Sequence, residues 1–182
     1  MVNIYKLKLT NLQQDILALF FKKTGLSLNA HNIARNLNVS QPAVSKALPL
    51  LEKEGILIIK KDKDSKRLAI ELNREDHNLI WLKRADNLKQ LYQSGLVQYF
   101  YDKFPEATVI LFGSYSFGED TINSDIDMAL IGSKEKNLNL EEFNKKLERV
   151  ININYYKSFK VIDKHLLNNI LNGIILKGTI EL

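Results

Sequence analysis

The chain has 182 residues, no cysteine, 45% hydrophobic and 26% charged residues; the length suits one large domain or two small ones, and the composition excludes disordered and collagen-like chains. Without cysteine there is no disulfide scaffold, no thiol catalysis and no cysteine-ligated zinc. The net charge of +5 is uneven: residues 1–73 carry 12 Lys and Arg against 6 Asp and Glu, and residues 74–182 carry 14 against 15, so the basic excess that a polyanion partner requires lies in the first two-fifths of the chain.

Residues 11–23 (NLQQDILALFFKK) place Leu12, Ile16, Leu19 and Phe20 on one helical stripe, closed by Thr24-Gly25. Asn29 is a candidate cap for a short helix over 30–37 that buries Ile33 and Leu37. After a tight turn, Ser40 is set to cap a third helix, from Gln41 to about Glu54, with Pro42 in its first turn and Val44, Leu48 and Leu51 facing inward. Pro49 falls in the interior of that helix, where a kink is expected. Gly55 stops it, and ILIIKKDKDSKRLAIEL reads as a hairpin turning over 62–66.

Helix, helix, turn, helix and basic hairpin is the order of a winged helix-turn-helix, and SQPAVSKALPLLEKEGIL resembles the recognition helix and first wing strand of winged-helix transcription regulators. The resemblance implies binding to double-stranded DNA. A recognition helix fits the major groove and offers its early exposed residues to base edges, here Ser40, Gln41, Ala43, Ser45 and Lys46. Gln41 is suited to adenine and Lys46 equally to phosphate. The hairpin offers Lys60, Lys61, Lys63, Lys66 and Arg67 to the backbone or minor groove.

Residues 74–94 read as one longer connecting helix with Ile80/Trp81, Arg84/Ala85, Leu88 and Leu91/Tyr92 as its stripe and Trp81 as an interface or core anchor. A homodimer is expected, because a winged helix generally reads two half-sites and this stripe needs cover. A further helix begins at Leu96 and ends before Pro105.

The chemistry concentrates beyond residue 106. ATVILF (107–112) is a continuous apolar strand of the buried kind, and it runs into GSYSFGEDTINSDIDMALI. Asp125 and Asp127, two apart at the start of the next strand, point to one face. Paired carboxylates there suit a magnesium ion that also holds nucleotide phosphates. Gly113 lets the backbone approach a phosphate, and Ser114 adds a hydroxyl at a helix start. Gly-Ser, ten residues, then Asp-x-Asp resembles the signature of the minimal nucleotidyltransferases of the polymerase-β-like superfamily, a pattern that chance gives in about one chain in several hundred.

By that resemblance Gly113 and Ser114 contact ATP or another nucleoside triphosphate, and Asp125 and Asp127 are the catalytic aspartates that bind Mg2+. The family takes a third carboxylate from a later neighbouring strand. Here that strand reads as 149–155 (RVININY) and holds no acid; Asn152 is first in line for the position and Asn154 next. Glu119 and Asp120, in the loop, are the alternative acids. Lys145, Lys146 and Arg149 read as solvated charges near the end of an amphipathic helix, and His31, His77 and His165 lack metal-ligand spacing. The tail reads as a helix over 163–172, a glycine cap and a short strand.

The whole order resembles archaeal-type predicted regulators fused to a nucleotidyltransferase domain. Relatives of that domain act as antitoxins that adenylylate a HEPN-type toxin. The expected fold class is α/β (α+β overall): a winged helix over 1–73, a connecting helix over 74–95 and a nucleotidyltransferase-like α/β domain over 96–182. No apolar run approaches the ~18 residues of a membrane span and MVNIYKLKLT has no secretory core, so the expected location is the cytoplasm, with no membrane partner.

Overall fold

The computed structural model describes residues 1–3, 7–61 and 68–181. The chain divides into two compact units, Met1–Lys83 and Arg84–Leu182.

In the first unit, α1 (Asn11–Lys22), α2 (Ala30–Leu37) and α3 (Gln41–Lys53) precede an antiparallel pair, β1 (Leu57–Lys61) and β2 (Leu68–Leu72), with Leu57 opposite Leu72. The order is that of a winged helix. Each helix starts where a side chain satisfies an orphan N–H: Thr10 forms a reciprocal capping box with Gln13, Asn29 accepts from Asn32 N, and Ser40 accepts from Ala43 N. Helices this short are marginal alone. Burial of Ile16, Phe20, Ile33, Val44, Leu51 and Ile70, all fully inaccessible, contributes about 1.5–3 kcal/mol per side chain and holds them. The α3 helix continues through Pro49 to Lys53. The predicted hairpin turn falls on residues 62–67, outside the described residues.

The connecting helix α4 (His77–Ser94) begins three residues later than residue 74, the predicted start. Asp76 sets the start: its carboxylate accepts from Asn78 N at 2.9 Å and from Val2 N at 2.5 Å. The expected stripe holds at Leu88 and Leu91, which join the core, but not at its aromatic residues. Trp81 is 61% and Tyr92 53% exposed, so Trp81 is no core anchor, while the buried line is Leu79, Lys83, Asn87 and Leu91. Two polar residues in that line hide it from a pattern based on hydrophobicity. The division between the units falls within this helix, after Lys83.

The second unit continues with α5 (Leu96–Lys103), β3 (Thr108–Phe112), α6 (Gly113–Phe117), β4 (Ile126–Ile131), α7 (Glu141–Leu147), β5 (Ile151–Tyr156), a 3-10 turn at Phe159–Val161, α8 (Lys164–Leu171) and β6 (Ile174–Lys177). The strands form one sheet in the order β5-β4-β3-β6, with β4 and β5 parallel and the other neighbours antiparallel. Val109, Leu111, Met128 and Leu130 join one core with Phe100 and Phe104; Ile110, Phe112, Ala129 and Ile131 join another with Phe159 and Ile170. Both faces of β3 are therefore covered, which is why its sequence runs apolar without alternation. Among the described residues no helix is long and apolar enough to cross a membrane.

Candidate functional site

Sheet register brings the sequence-predicted residues to one row. Phe112 pairs with Asp127 across β3 and β4, and Asp127 pairs with Asn152 across β4 and β5. Gly113 and Ser114 open α6 directly after Phe112. Asp125 stands one residue before β4, where Ile126 N donates to Val150 O at 2.8 Å. Asn152 Nδ2 donates to Asp125 Oδ2 at 3.0 Å and lies 3.5 Å from Asp127 Oδ1. One amide thus meets both carboxylates, which converge on a single point. Asn154 is set apart, with its amide 3.5 Å from Met128 O.

Gly113 has φ +74°, and a Cβ placed on it would lie 2.7 Å from Asp127 Oδ2. The backbone can therefore press against the acid pair only where the side chain is missing. These features fit a hard divalent ion: two carboxylates aimed at one place, both partly open to solvent, beside a cradle that a methyl group would fill. Among the described residues no group of three or more His, Cys, Asp or Glu side chains is arranged to hold a metal. The acid site is a pair, and the third corner is the amide of Asn152.

Asp120 does not serve as a substitute acid. It is committed to Arg149: the guanidinium Nη2 lies 3.3 Å from Asp120 Oδ2, and the two side chains are 2% and 1% exposed. Asn87 Nδ2 donates to Asp120 Oδ1 at 2.7 Å and to Tyr115 O at 3.0 Å. Arg149 Nη1 donates to Glu148 O at 2.9 Å. Arg149 is therefore a buried structural cation rather than a solvated charge, and β5 starts after it at Ile151. Burial, together with the Asp120 charge, pushes the Tyr115 phenol well above its usual range, so Tyr115 is a neutral packing residue with its hydroxyl on Asn87 O. The network fixes both ends of the site: Asp120 follows α6, and Arg149 precedes Asn152. Sequence reasoning missed it, because Asp120 sits in a polar loop beside Glu119 and the three residues lie far apart in the chain. Glu119 is exposed. Lys146 pairs with Glu142 at 2.6 Å on the surface of α7, and this contact lowers the Glu142 carboxyl. An open groove of about 440 Å³ runs beside Asp125, bordered by Ile122, Asn144, Lys145 and Val150.

In the first unit, Ser40 caps α3 with its Oγ 3.3 Å from Ala43 N, and Gln41, Ser45 and Lys46 are exposed on its first turns. Lys60 and Lys61 end β1, exposed. Lys63, Lys66 and Arg67 lie outside the described residues. The exposed face of α2 adds Asn32, Arg35 and Asn36 around a shallow pocket, a group that sequence reasoning passed over.

Residues 94–176, which hold the Gly-Ser turn, the acid pair and Asn152, match the family model described as "Nucleotidyltransferase domain". Over 65 residues the chain is 46% identical to the transcriptional regulator AdcR of Streptococcus pneumoniae serotype 2 (strain D39 / NCTC 7466), an overlap of 35% of this chain and 42% of that protein. Less than half the length of that relative is thus spanned. Among solved structures, the adhesin competence repressor AdcR of Streptococcus pyogenes is similar at 28% identity, covering 55% of this chain and 71% of that one with a TM-score of 0.41. A single-substitution mutant of Lactococcus lactis ZitR gives 22% identity, 54% and 64% coverage and a TM-score of 0.42. The chain thus carries a stretch similar to a transcriptional regulator and another, residues 94–176, that matches the nucleotidyltransferase family model.

Proposed function

We propose that this protein is a cytoplasmic DNA-binding transcriptional regulator whose second domain binds a magnesium nucleotide, ATP or another nucleoside triphosphate, and transfers it poorly. Residues 1–73 bind double-stranded DNA as a homodimer on two half-sites. Ser40, Gln41, Ser45 and Lys46 read the major groove, and Lys61, Lys63, Lys66 and Arg67 contact the backbone or the minor groove. The likeness to a transcriptional regulator and the basic excess of residues 1–73 support this half of the reading.

For the second domain, one observation carries the reading: Asn152 stands in register with Asp127 and donates to Asp125. Asp125 and Asp127 would hold the magnesium, which when bound supplies charge neutralisation to the phosphates. Gly113 and Ser114 would contact the triphosphate. Asn152 can offer its carbonyl oxygen to a metal after a rotation of the amide, but an amide cannot take the proton of an attacking hydroxyl. Loss of a positioned base costs roughly 10²–10⁴-fold in rate.

A second reading is an active nucleotidyl transferase that places AMP on a HEPN-type partner, in the manner of an antitoxin. The match of residues 94–176 to the nucleotidyltransferase model favours it. Labelled ATP separates the two. The regulator reading expects magnesium-dependent binding that Asp127→Ala abolishes, slow transfer by the wild type, and faster transfer by Asn152→Asp. Rapid wild-type transfer to a HEPN-type protein, dependent on Asp125 and Asp127, would establish the enzyme instead.

A further inference from the structure

The Gly-Ser turn and the acid pair sit in a stretch with an unusual charge pattern. From Phe104 to Ser133 the sequence has no lysine, arginine or histidine, yet it has five acids: Glu106, Glu119, Asp120, Asp125 and Asp127. A nucleoside triphosphate carries more negative charge than one magnesium ion cancels, so a phosphate site here needs a cation from another element. Arg149 is buried and committed to Asp120. Lys146 is paired with Glu142. Among the described residues two cations are candidates: Lys145, on the rim of the groove beside Asp125, and Arg84, over Phe117 of α6.

Arg84 is the better placed for the phosphate side. Its guanidinium lies over the Phe117 ring, 5.9 Å from the centroid. Phe117 ends α6, the helix that Gly113 and Ser114 begin, and it follows Ser114 by three positions, so the two are neighbours on one helical face. One turn further along α4, Asn87 anchors that helix through Tyr115 O and Asp120. Among the described residues Arg84 takes no ion-pair partner, and it is half-buried. Stacking on an aromatic face steadies a guanidinium and leaves its N–H edge free, which is the state that gives bidentate phosphate contacts.

Resting on the nucleotide-binding reading above, we propose that Arg84, steadied on Phe117, is the cation that holds the outer phosphates of a nucleoside triphosphate whose metal sits on Asp125 and Asp127. The ligand class follows: triphosphate is preferred over monophosphate because the guanidinium addresses the charge farthest from the nucleoside.

Calorimetric titration of the full chain with Mg-ATP and with AMP tests this in wild type, Arg84→Ala, Arg84→Lys and Lys145→Ala. Arg84→Ala should weaken Mg-ATP roughly ten- to a hundredfold, the range of a lost charge-assisted contact. AMP binding should change little, so the preference for triphosphate falls. Arg84→Lys keeps a point charge without the planar fork and should fall between. Unchanged melting of both Arg84 variants separates this result from misfolding. Wild-type Mg-ATP affinity in Arg84→Ala, or a loss confined to Lys145→Ala, overturns the assignment and leaves the nucleotide site standing. No Mg-ATP binding by the wild type overturns the site and this assignment together.

Discussion

The Arg149–Asp120 pair gives the sharpest test of how the second unit is held. Arg149→Met removes the guanidinium and leaves the Asp120 carboxylate in a site where its side chain is 1% exposed. Breaking a buried pair on one side typically costs about 3–5 kcal/mol, because the remaining charge loses a compensating partner and cannot reach water, although Asn87 still donates to Asp120. The unit spans Arg84–Leu182, about a hundred residues, and domains of that size are stable by only ~5–15 kcal/mol. At roughly 4–8 °C per kcal/mol, its melting point should fall by about 12–40 °C. The double variant Asp120→Leu/Arg149→Met should regain most of the loss, since paired apolar replacement is often neutral, and Asn87 keeps its bond to Tyr115 O. Calorimetry and urea unfolding of the full chain measure all three variants. A single-variant cost below about 1 kcal/mol, with the double variant simply additive, would refute the reasoning by showing a pair that behaves as if solvated.

Gly113→Ala should abolish magnesium-dependent nucleotide binding while circular dichroism stays native, because the new Cβ meets Asp127 Oδ2 at 2.7 Å and φ is +74°, a backbone strain of about 1–2 kcal/mol. DNA affinity of the full chain should fall steeply with salt; Lys61→Ala should weaken all sequences alike and reduce the slope by about 1, whereas Gln41→Ala should relax sequence preference. Sedimentation in the same buffers should show a dimer, and a monomer at micromolar concentration with and without DNA would count against the two-half-site reading. Burial pushes the Asp76 carboxyl up, but the N–H groups of Val2 and Asn78 and the Met1 ammonium outweigh it and hold the group below the usual carboxylate range. Its stabilising contribution is therefore complete above the unfolded value of about 3.9 and is lost as pH falls through the lower folded value. Asp76→Asn should flatten the acid limb of the stability profile, and an unchanged limb would show that another group controls it.

Elements whose signals are local were legible in the sequence. Asn29 and Ser40 cap α2 and α3 as expected, because a cap needs only its own side chain and an N–H three residues on. The β3 strand was legible because burial on both faces leaves an uninterrupted apolar run. Asn152 was placed correctly because the strand that carries it pairs in parallel with the acid strand, and the family pattern names that neighbour. What failed depended on distant partners. Asp76 shortens α4 by binding Val2, seventy-four residues away in sequence, and no local pattern announces that. Arg149 looked like a solvated charge because it follows Lys145 and Lys146 near the end of an amphipathic helix; the acid it pairs with lies twenty-nine residues upstream. Lys83 and Asn87 occupy the buried line of α4 where hydrophobic periodicity expects apolar residues, so the expected stripe caught Leu88 and Leu91 but also took in the exposed Trp81 and Tyr92.

The electrostatics of the acid pair also bear on why an asparagine should stand at the third corner. Two carboxylates that share one amide donor, at 3.0 and 3.5 Å, already repel each other. A third carboxylate at Asn152 would add two more like-charge contacts at similar range, each about 4 kcal/mol at an effective dielectric constant of 20 and 4 Å separation. Such a cluster depends on a cation for its integrity, which suits an enzyme saturated with metal. With an amide, the same corner donates to both acids when no metal is bound and can turn its carbonyl toward one that arrives. The pair then keeps a hydrogen-bond donor when the metal is absent and would gain a carbonyl ligand when one is bound. On the proposed regulator reading, the residue that would deprive the site of its base is the same one that would let it load and empty reversibly.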